Sequence, residues 1–286
     1  MSSDSDTAVR VRGLHKHYGE RRAVDGIDLS VPRGQVFALL GPNGAGKSTT
    51  VEVLEGYRAR TAGDVEVLGH DPASPSRAWR ARLGIVAQTT QDLSDLTVGE
   101  VVRHFAGFYP SPRRPEAVIE QVGLDEDART RARDLSGGRR RRLDVALGIV
   151  GDPEVLFLDE PTTGFDPEAR REFWGLIQRL AAGGTTILLT THYLDEVEVL
   201  ADALAVISRG RIVATGTPGD LAGRASAPAA VRWHDPQAPG GVREELTATP
   251  TALVAHLAAR AGGEVPGLVV ARPTLEDTYL RLLEDS

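Results

Sequence analysis

Cysteine is absent from this chain of 286 residues, and lysine is nearly so. The lack of cysteine excludes disulfides, thiolate catalysis and cysteine-bound metals together. Long hydrophobic runs are also missing. The longest stretch without a charged residue, residues 180–194, contains four threonines and two glycines, so it is too short and too polar to span a bilayer. Lys16 and Lys47 are the two lysines among 33 basic residues, which makes each of them a candidate functional group.

The remaining composition is that of a globular protein with one large domain and a small extension. Hydrophobic residues make up 41% of the chain and charged residues 26%. Acidic side chains outnumber basic ones by 40 to 33, and the net charge of −7 argues against a general nucleic-acid-binding protein. The first ten residues place acids where a signal peptide would be basic and then apolar, so we expect a cytosolic protein.

Short apolar runs alternate with helical patterns from about residue 9 to residue 212, which is typical of a mostly parallel sheet. Near-continuous apolarity predicts strands that are covered on both faces. These strands are expected at residues 35–40, 155–158 and 185–189. The sequence therefore predicts an α/β fold whose sheet is mixed but mostly parallel.

Residues 97–150 have no such apolar run, and prolines interrupt their helical patterns. The pattern predicts a helical subdomain inserted into the α/β domain. Its helices are expected at about residues 98–108, 116–122 and 138–150.

The composition changes near the C-terminal end of the chain. Residues 223–241 are rich in glycine, alanine and proline, which predicts a linker or an irregular edge. An amphipathic helix should follow Pro273, with Thr274 as its N-cap and Asp277 three residues later. We expect a first domain at residues 7–222 and a small C-terminal extension at residues 223–286, for which a regulatory and a dimerising role both stay open.

Residues 41–48, GPNGAGKS, match the pattern G-x-x-x-x-G-K-[ST] between a predicted strand and a helical stretch. Glycines let backbone N–H groups turn toward phosphate oxygens, and the positive end of the following helix adds to the attraction. Lys47 would give a compact charge to the terminal phosphates, and Ser48 would bind Mg²⁺. A plain glycine turn is the alternative. The residues expected to bind ATP here are Gly41, Pro42, Asn43, Gly44, Ala45, Gly46, Lys47, Ser48 and Thr49.

Residues 155–160, VLFLDE, form a predicted strand that ends in two carboxylates. Asp159 is placed to hold Mg²⁺ through water, while the neighbouring Glu160 points elsewhere and polarises the attacking water. A solvent-facing acidic pair is the alternative, and the phosphate-binding loop upstream argues against it.

Residues 135–139, LSGGR, are typical of a helix start at which Ser136 caps and Gly137 and Gly138 expose N–H groups to an anion. In order, GPNGAGKST, LSGGR, VLFLDEPTTGFDP and TTH resemble the ATPase subunits of ATP-binding cassette (ABC) transporters. Signatures of the LSGGQ type are peculiar to this superfamily among P-loop ATPases. The resemblance covers about residues 8–222 and implies a P-loop NTPase fold.

The resemblance gives four further residues a role in the site. Tyr18 would stack on adenine, and Gln88 would contact Mg²⁺ and the attacking water and couple the site to a membrane partner. His192 would contact the γ-phosphate and help hold the nucleophile, and Asp166 would lie at a subunit boundary. Each of these residues also has an ordinary structural interpretation outside the family.

Two departures from the family pattern affect fine geometry more than phosphate binding. Arg139 stands where glutamine is usual, and Phe165 stands where leucine is more common. The four arginines at residues 139–142 could form a nucleic-acid-binding patch. We favour a partly solvated helix face, because the chain as a whole is acidic and basic residues are typical of this helix.

The resemblance also implies partners. In the family, the signature of one subunit closes over the phosphate-binding loop of another, so one chain lacks a complete site and two copies make two equivalent sites. We expect a second ATPase subunit, in a homodimer, and a separate transmembrane permease, with no nucleic acid. With ATP and Mg²⁺ as cofactors, such an enzyme would work at the cytoplasmic face of the cell membrane.

A C-terminal segment, PTLEDTYL, resembles the drug and antibiotic export branch of these ATPases. It implies ATP-driven efflux of a hydrophobic drug, antibiotic or lipid-like compound. The alternative is a soluble ABC ATPase without a permease, acting in translation or DNA maintenance. Such proteins carry two cassettes or a long coiled coil, and this sequence has neither. A nonhydrolytic scaffold is disfavoured because Glu160 and His192 are both present.

Three aromatic residues, Phe105, Phe108 and Tyr109, fall within five positions of the predicted helical subdomain. Internal packing is the interpretation we favour, since aromatic clusters usually belong to cores. The other interpretation is that they line, with the segment after Gln88, a groove that receives a helix of the permease.

Overall fold

The computed structural model of the chain describes residues 6–86 and 95–284. The chain divides into two compact units, residues 1–213 and residues 214–286. The expected end of the ATPase domain at residue 222 stays a prediction. Within the described ranges, no helix is both long enough and apolar enough to cross a membrane.

The strands are β1 (Thr7–Tyr18), β2 (Arg21–Pro32), β3 (Val36–Leu40), β4 (Ala62–Val67), β5 (Leu83–Val86), β6 (Val155–Asp159), β7 (Thr186–Thr191), β8 (Ala203–Ser208), β9 (Arg211–Gly216), β10 (Ala229–His234), β11 (Val242–Thr247) and β12 (Val269–Ala271). The helices are α1 (Lys47–Leu54), α2 (Arg77–Arg80), α3 (Val98–Ala106), α4 (Pro115–Gln121), α5 (Gly137–Ile149), α6 (Pro167–Ala182), α7 (Leu194–Leu200), α8 (Pro250–Ala261) and α9 (Leu275–Glu284).

The largest sheet has the strand order β5-β6-β7-β3-β8-β9. Strands β5, β6, β7, β3 and β8 are paired in parallel. Every residue of β3 and β7 is buried, as expected for central strands with both faces covered. The three predicted strands are confirmed as β3, β6 and β7.

A second, antiparallel sheet of order β2-β1-β4 packs on the same core. This core joins Leu14 and Ile27 of the antiparallel sheet, Leu54 of α1 and Phe157 of β6, all of which are fully buried. Burial of each such side chain contributes about 1.5–3 kcal/mol. Helix α1 is thereby fixed at the carboxyl ends of the parallel strands.

The helical subdomain is confirmed as α3, α4 and α5. Thr97 and Glu100 form a capping box at the start of α3, since the Thr97 N–H donates to the Glu100 carboxylate at 2.8 Å. Pro115 opens α4 at a position where its missing N–H is not needed.

The C-terminal unit contains a sheet of order β11-β10-β12. Its central strand, β10, buries Val231 and Trp233 against Leu257 of α8. The expectation of a linker or irregular edge at residues 223–241 is therefore wrong, because a core strand lies within it. The alternation that marks β10 covers only six residues between glycine-rich and proline-rich flanks. The final helix is confirmed as α9.

Candidate functional site

The phosphate-binding loop connects β3 to α1, as its pattern predicts. Gly46 has a φ of 110°, and a Cβ there would lie 2.5 Å from the carbonyl oxygen of Ala23. The close approach and the left-handed backbone both require glycine. A Cβ on Gly41 would likewise overlap the backbone of Ile207 in β8.

Lys47, the first residue of α1, is 4% exposed. Its Nζ donates hydrogen bonds to the carbonyl oxygens of Gly41 at 2.8 Å and Pro42 at 3.3 Å. The same Nζ lies 3.2 Å from Oε1 of Glu160. A buried ammonium is stabilised by such partners, so Lys47, expected at the terminal phosphates, and Glu160, expected at the attacking water, hold each other in place.

Three oxygen-bearing side chains meet at the end of β6. The hydroxyl of Ser48 donates to Oδ1 of Asp159 at 3.2 Å, and the hydroxyl of Thr190 donates to the same oxygen at 2.5 Å. Hydroxyl and carboxylate oxygens are the hard ligands that Mg²⁺ prefers, so the set fits that ion. Thr190 was not predicted. Gln88, the other expected ligand, lies outside the described residues.

Glu160 follows β6 with a φ of 44°, a left-handed conformation that is uncommon for glutamate. Its N–H donates to the backbone oxygen of Thr190 at 3.2 Å and to the hydroxyl of Thr190 at 3.0 Å, which holds this conformation. Nδ1 of His192 lies 3.6 Å from Oε1 of Glu160. The structure thus brings together Lys47, Glu160 and His192.

A cleft of about 270 Å³, of the order expected for part of a small ligand, opens beside this group. Its lining includes residues of the phosphate-binding loop and Glu160, together with Arg21 at the start of β2. The lining residues are Arg21, Ala23, Asn43, Gly44, Gly46, Lys47, Ser48, Thr49 and Glu160. Arg21 was not predicted, because its place in the cleft depends on the folding of β2 against the loop.

Comparison with known proteins decides the family. A family profile described as ABC transporter matches residues 24–163. The chain is 38% identical to the daunorubicin resistance ATP-binding protein DrrA3 of Streptomyces coeruleorubidus, over 98% of this chain and 97% of that protein. The chain belongs to the ABC transporter ATP-binding family. A Nod factor export ATP-binding protein I of Ralstonia nicotianae is 44% identical, over 76% of this chain and 69% of that protein.

Solved structures of ABC ATPases share the fold. A nucleotide-free ATP-binding cassette from an ABC transporter has a TM-score of 0.66 at 27% identity, covering 74% of this chain and 91% of that one. The cbiO1 structure of Clostridium perfringens, part of the ABC transporter complex cbiONQ, has a TM-score of 0.67 at 30% identity, covering 75% and 90%. The predicted P-loop NTPase fold is confirmed.

In this ABC ATPase the signature residues lie at the start of α5. The hydroxyl of Ser136 caps the helix by accepting from the N–H of Arg139 at 3.4 Å. Ser136 and Gly137 are exposed, and Gly138 is half-buried. None of the three lines the cleft described above. Their expected contact with ATP of another subunit stays a prediction.

Two further predicted residues of the ABC ATPase also lie away from the lining of the cleft. Asp166 caps α6 by accepting from the N–H groups of Glu168 at 3.0 Å and Ala169 at 2.9 Å. Tyr18 is 41% exposed, and the Lys16 Nζ lies 5.0 Å from the centroid of its ring. Their expected roles, at the subunit boundary and at adenine, stay predictions.

The four arginines at residues 139–142 do not form one solvated face. Arg141 is only 8% exposed, and its guanidinium donates to the carbonyl oxygens of Pro161 at 3.1 Å and Asp159 at 2.8 Å. Burial lowers the pKa of Arg141, while the carboxylates of Asp144 and Asp159 raise it. Arg139 is largely exposed and pairs with Asp127. Because the four residues are identical, the sequence does not indicate which of them faces the core.

Outside the nucleotide site, His15, His17 and Asp25 bring three potential metal ligands within 4.8 Å of one another. Asp25 already accepts two hydrogen bonds from Arg211, at 3.0 and 2.7 Å, and Arg22 lies 3.6 Å away. These guanidiniums lower the pKa of Asp25, chiefly through the hydrogen bond from Arg211, and they oppose a bound cation.

Proposed function

We propose that this ABC ATPase hydrolyses ATP to drive export of a hydrophobic drug, antibiotic or lipid-like compound through a separate permease. The observation that carries the proposal is that Lys47, Ser48 and Glu160 line one cleft, with Asp159 hydrogen-bonded to Ser48 and His192 close to Glu160. The similarity to a daunorubicin resistance ATP-binding protein, over nearly the whole of both chains, supports export. The relatives named above give no support to the alternative of a soluble ABC ATPase in translation or DNA maintenance.

The geometry supports a division of roles among these side chains. Backbone N–H groups of the phosphate-binding loop and the ammonium of Lys47 bind the phosphates. Ser48 and Asp159, with Gln88, would hold Mg²⁺, which neutralises charge on the phosphate oxygens when bound. Glu160 accepts a hydrogen bond from the attacking water and polarises it, and His192, whose Nδ1 lies 3.6 Å from Oε1 of Glu160, contacts the γ-phosphate.

The partners follow from the incompleteness of one chain. Ser136, Gly137 and Gly138 do not line the cleft, and the proposed contact of the signature with the γ-phosphate would come from a second copy. A homodimer with two equivalent sites satisfies this requirement, and the similarity to an export ATP-binding protein supports a permease at the cytoplasmic face of the membrane. The C-terminal unit remains a candidate for regulation or for dimerisation.

Two variants of the full chain test the shared site. Lys47→Ala should weaken ATP binding to the monomer, because a charge-assisted contact to phosphate is lost. Ser136→Arg should leave that binding intact and stop turnover, since its ligand belongs to the opposing subunit. Fluorescent-nucleotide titration and phosphate release distinguish the two effects. Equal loss of monomer binding in both variants would refute the shared site.

Export itself is tested by copurification with a candidate permease that is expressed together with this chain. Addition of a transported compound to the complex should stimulate ATP hydrolysis, and Glu160→Gln should abolish the stimulated rate. A chain that hydrolyses ATP at full rate but binds no membrane subunit would contradict the export role.

A further inference from the structure

Glu196, on α7, is fully buried, although glutamate is rarely buried without partners. Its Oε1 accepts a hydrogen bond from the hydroxyl of Thr162 at 3.0 Å and another from the indole N–H of Trp174 at 3.3 Å. Burial raises the pKa of Glu196, and the hydrogen bonds from Thr191, Thr162 and Trp174 lower it. Burial of a carboxylate costs free energy, which suggests that Glu196 has a role beyond packing.

The partners of Glu196 belong to the two segments that carry the hydrolytic groups. Thr162 is itself fully buried and lies two residues after Glu160. Glu196 lies four residues after His192, in the helix that follows it. One carboxylate oxygen therefore joins the backbone just after Glu160 to the backbone just after His192.

The segment after β6 is held from a second direction as well. Arg141 of α5 binds the carbonyl oxygens of Asp159 and Pro161, whereas Glu196 of α7 binds the Thr162 side chain. These contacts bracket Glu160, and they add to the hydrogen bonds with Thr190 that hold its left-handed backbone. A shift of the Pro161–Thr162 turn would move the Glu160 carboxylate.

We propose that Glu196 is a positioning residue for ATP hydrolysis, which fixes Glu160 and His192 relative to each other through the Thr162 hydroxyl. Glu196 is fully buried and does not line the cleft. It acts by holding the Glu160 carboxylate close to the His192 ring. The inference rests on the proposed roles of Glu160 and His192.

Thr162→Val is the sharpest perturbation, because it removes the hydroxyl and keeps the shape of the side chain. We expect kcat to fall about tenfold, the scale of a small misplacement of a catalytic group, with the KM for ATP changed less than about twofold. The phosphate-binding loop is untouched, which is why binding should persist. Glu196→Ala should act in the same direction, and Glu196→Gln, which keeps an acceptor for Thr162, should restore most of kcat.

Trp174→Phe is the matched control. It removes the other hydrogen bond to the same oxygen but leaves the Thr162 contact in place. A role limited to stability predicts equal effects of Thr162→Val and Trp174→Phe on melting temperature and none on kcat. A positioning role predicts a loss of kcat in Thr162→Val alone. Because both variants retain Glu196 and lose one hydrogen bond, the comparison stands even where Glu196→Ala fails to fold.

Steady-state hydrolysis, nucleotide binding and thermal unfolding of the full chain are measured for the parent, these variants and Glu160→Gln. In the double variant Thr162→Val/Glu196→Ala, the loss of kcat should be no greater than in Glu196→Ala, because both changes break one link. Parental kcat in Thr162→Val, or losses that multiply in the double variant, would overturn the inference. An active Glu160→Gln enzyme would instead refute the proposed hydrolytic site.

Discussion

Glu55 lies at the end of α1, the helix that follows the phosphate-binding loop, and the pKa of its carboxyl group is strongly raised. Burial, followed by the charges of Asp159 and Glu52, raises its pKa from the ordinary 4.5 to about 8. The folded protein therefore binds this proton more tightly than the unfolded chain does. Stability is lost as the pH rises from the unfolded value toward the folded one, since folding then requires uptake of a proton.

Glu55→Gln removes this linkage at nearly constant volume. The difference between a pKa of about 8 and the ordinary 4.5 corresponds to about 5 kcal/mol at full effect. Most of that difference develops between about pH 5 and pH 9, so the stability of the variant relative to the parent should rise by about 4 kcal/mol across this window. The stability of Glu55→Gln relative to the parent should therefore increase with pH.

The measurement is urea unfolding of both proteins at a series of pH values, without Mg²⁺ or nucleotide, followed by circular dichroism. Glu154→Gln is the control, because hydrogen bonds from Arg82 and Arg33 lower the pKa of Glu154 to about 2. That carboxylate is ionised throughout the window, so its replacement should change stability by the same amount at each pH. Parallel curves for Glu55→Gln and the parent would refute the reasoning.

Three further predictions concern other parts of the ATPase unit. Glu160→Gln should lower hydrolysis at least about a hundredfold and trap an ATP-bound dimer on gel filtration, and near-parental turnover would contradict its role. Arg141→Met should cost about 2–4 kcal/mol in urea unfolding, because buried carbonyls lose their donor; a loss below about 1 kcal/mol would contradict that reason. Phe108→Ala, at a ring that is 66% exposed, should leave the melting temperature unchanged and weaken copurification with the permease, whereas Tyr109→Ala should destabilise the fold. The reverse pattern would exclude Phe108 from docking.

The aromatic residues Phe105, Phe108 and Tyr109 differ in how they fit the two interpretations, internal packing and docking of a permease helix. The ring of Tyr109 lies against Gly151, where a Cβ would overlap it, so Tyr109 belongs to internal packing. Phe108 is packed edge-on against Phe105 and His104 but remains exposed. Docking of a permease helix on Phe108 stays a prediction, and the segment after Gln88 lies outside the described residues.

Local patterns were sufficient for the central strands, the phosphate-binding loop and the two carboxylates after β6. Each of these depends on residues within one turn or strand, where period and composition are informative. Lys47 was predicted to bind phosphate and Glu160 to polarise water, and no contact between them was predicted. The contact could not be read from either motif, because the two motifs lie far apart in the chain.

Long-range packing decided what the sequence did not predict. Thr190 serves Asp159 and Glu160 because β6 and β7 are adjacent and in parallel register, which no single segment reveals. Arg141 is distinguished from its three neighbours only by the carbonyl groups it meets across the fold. Strand β10 is short, and one of its two partners, β12, follows only after β11 and α8.

The contact between the Lys47 ammonium and the Glu160 carboxylate, at 3.2 Å, joins the phosphate-binding loop to the residue expected to polarise water. Because the two groups are largely buried and opposite in charge, removal of one leaves the other as an uncompensated charge. Lys47→Ala and Glu160→Gln are therefore not independent perturbations, since each variant alters the surroundings of the second group as well as removing the first.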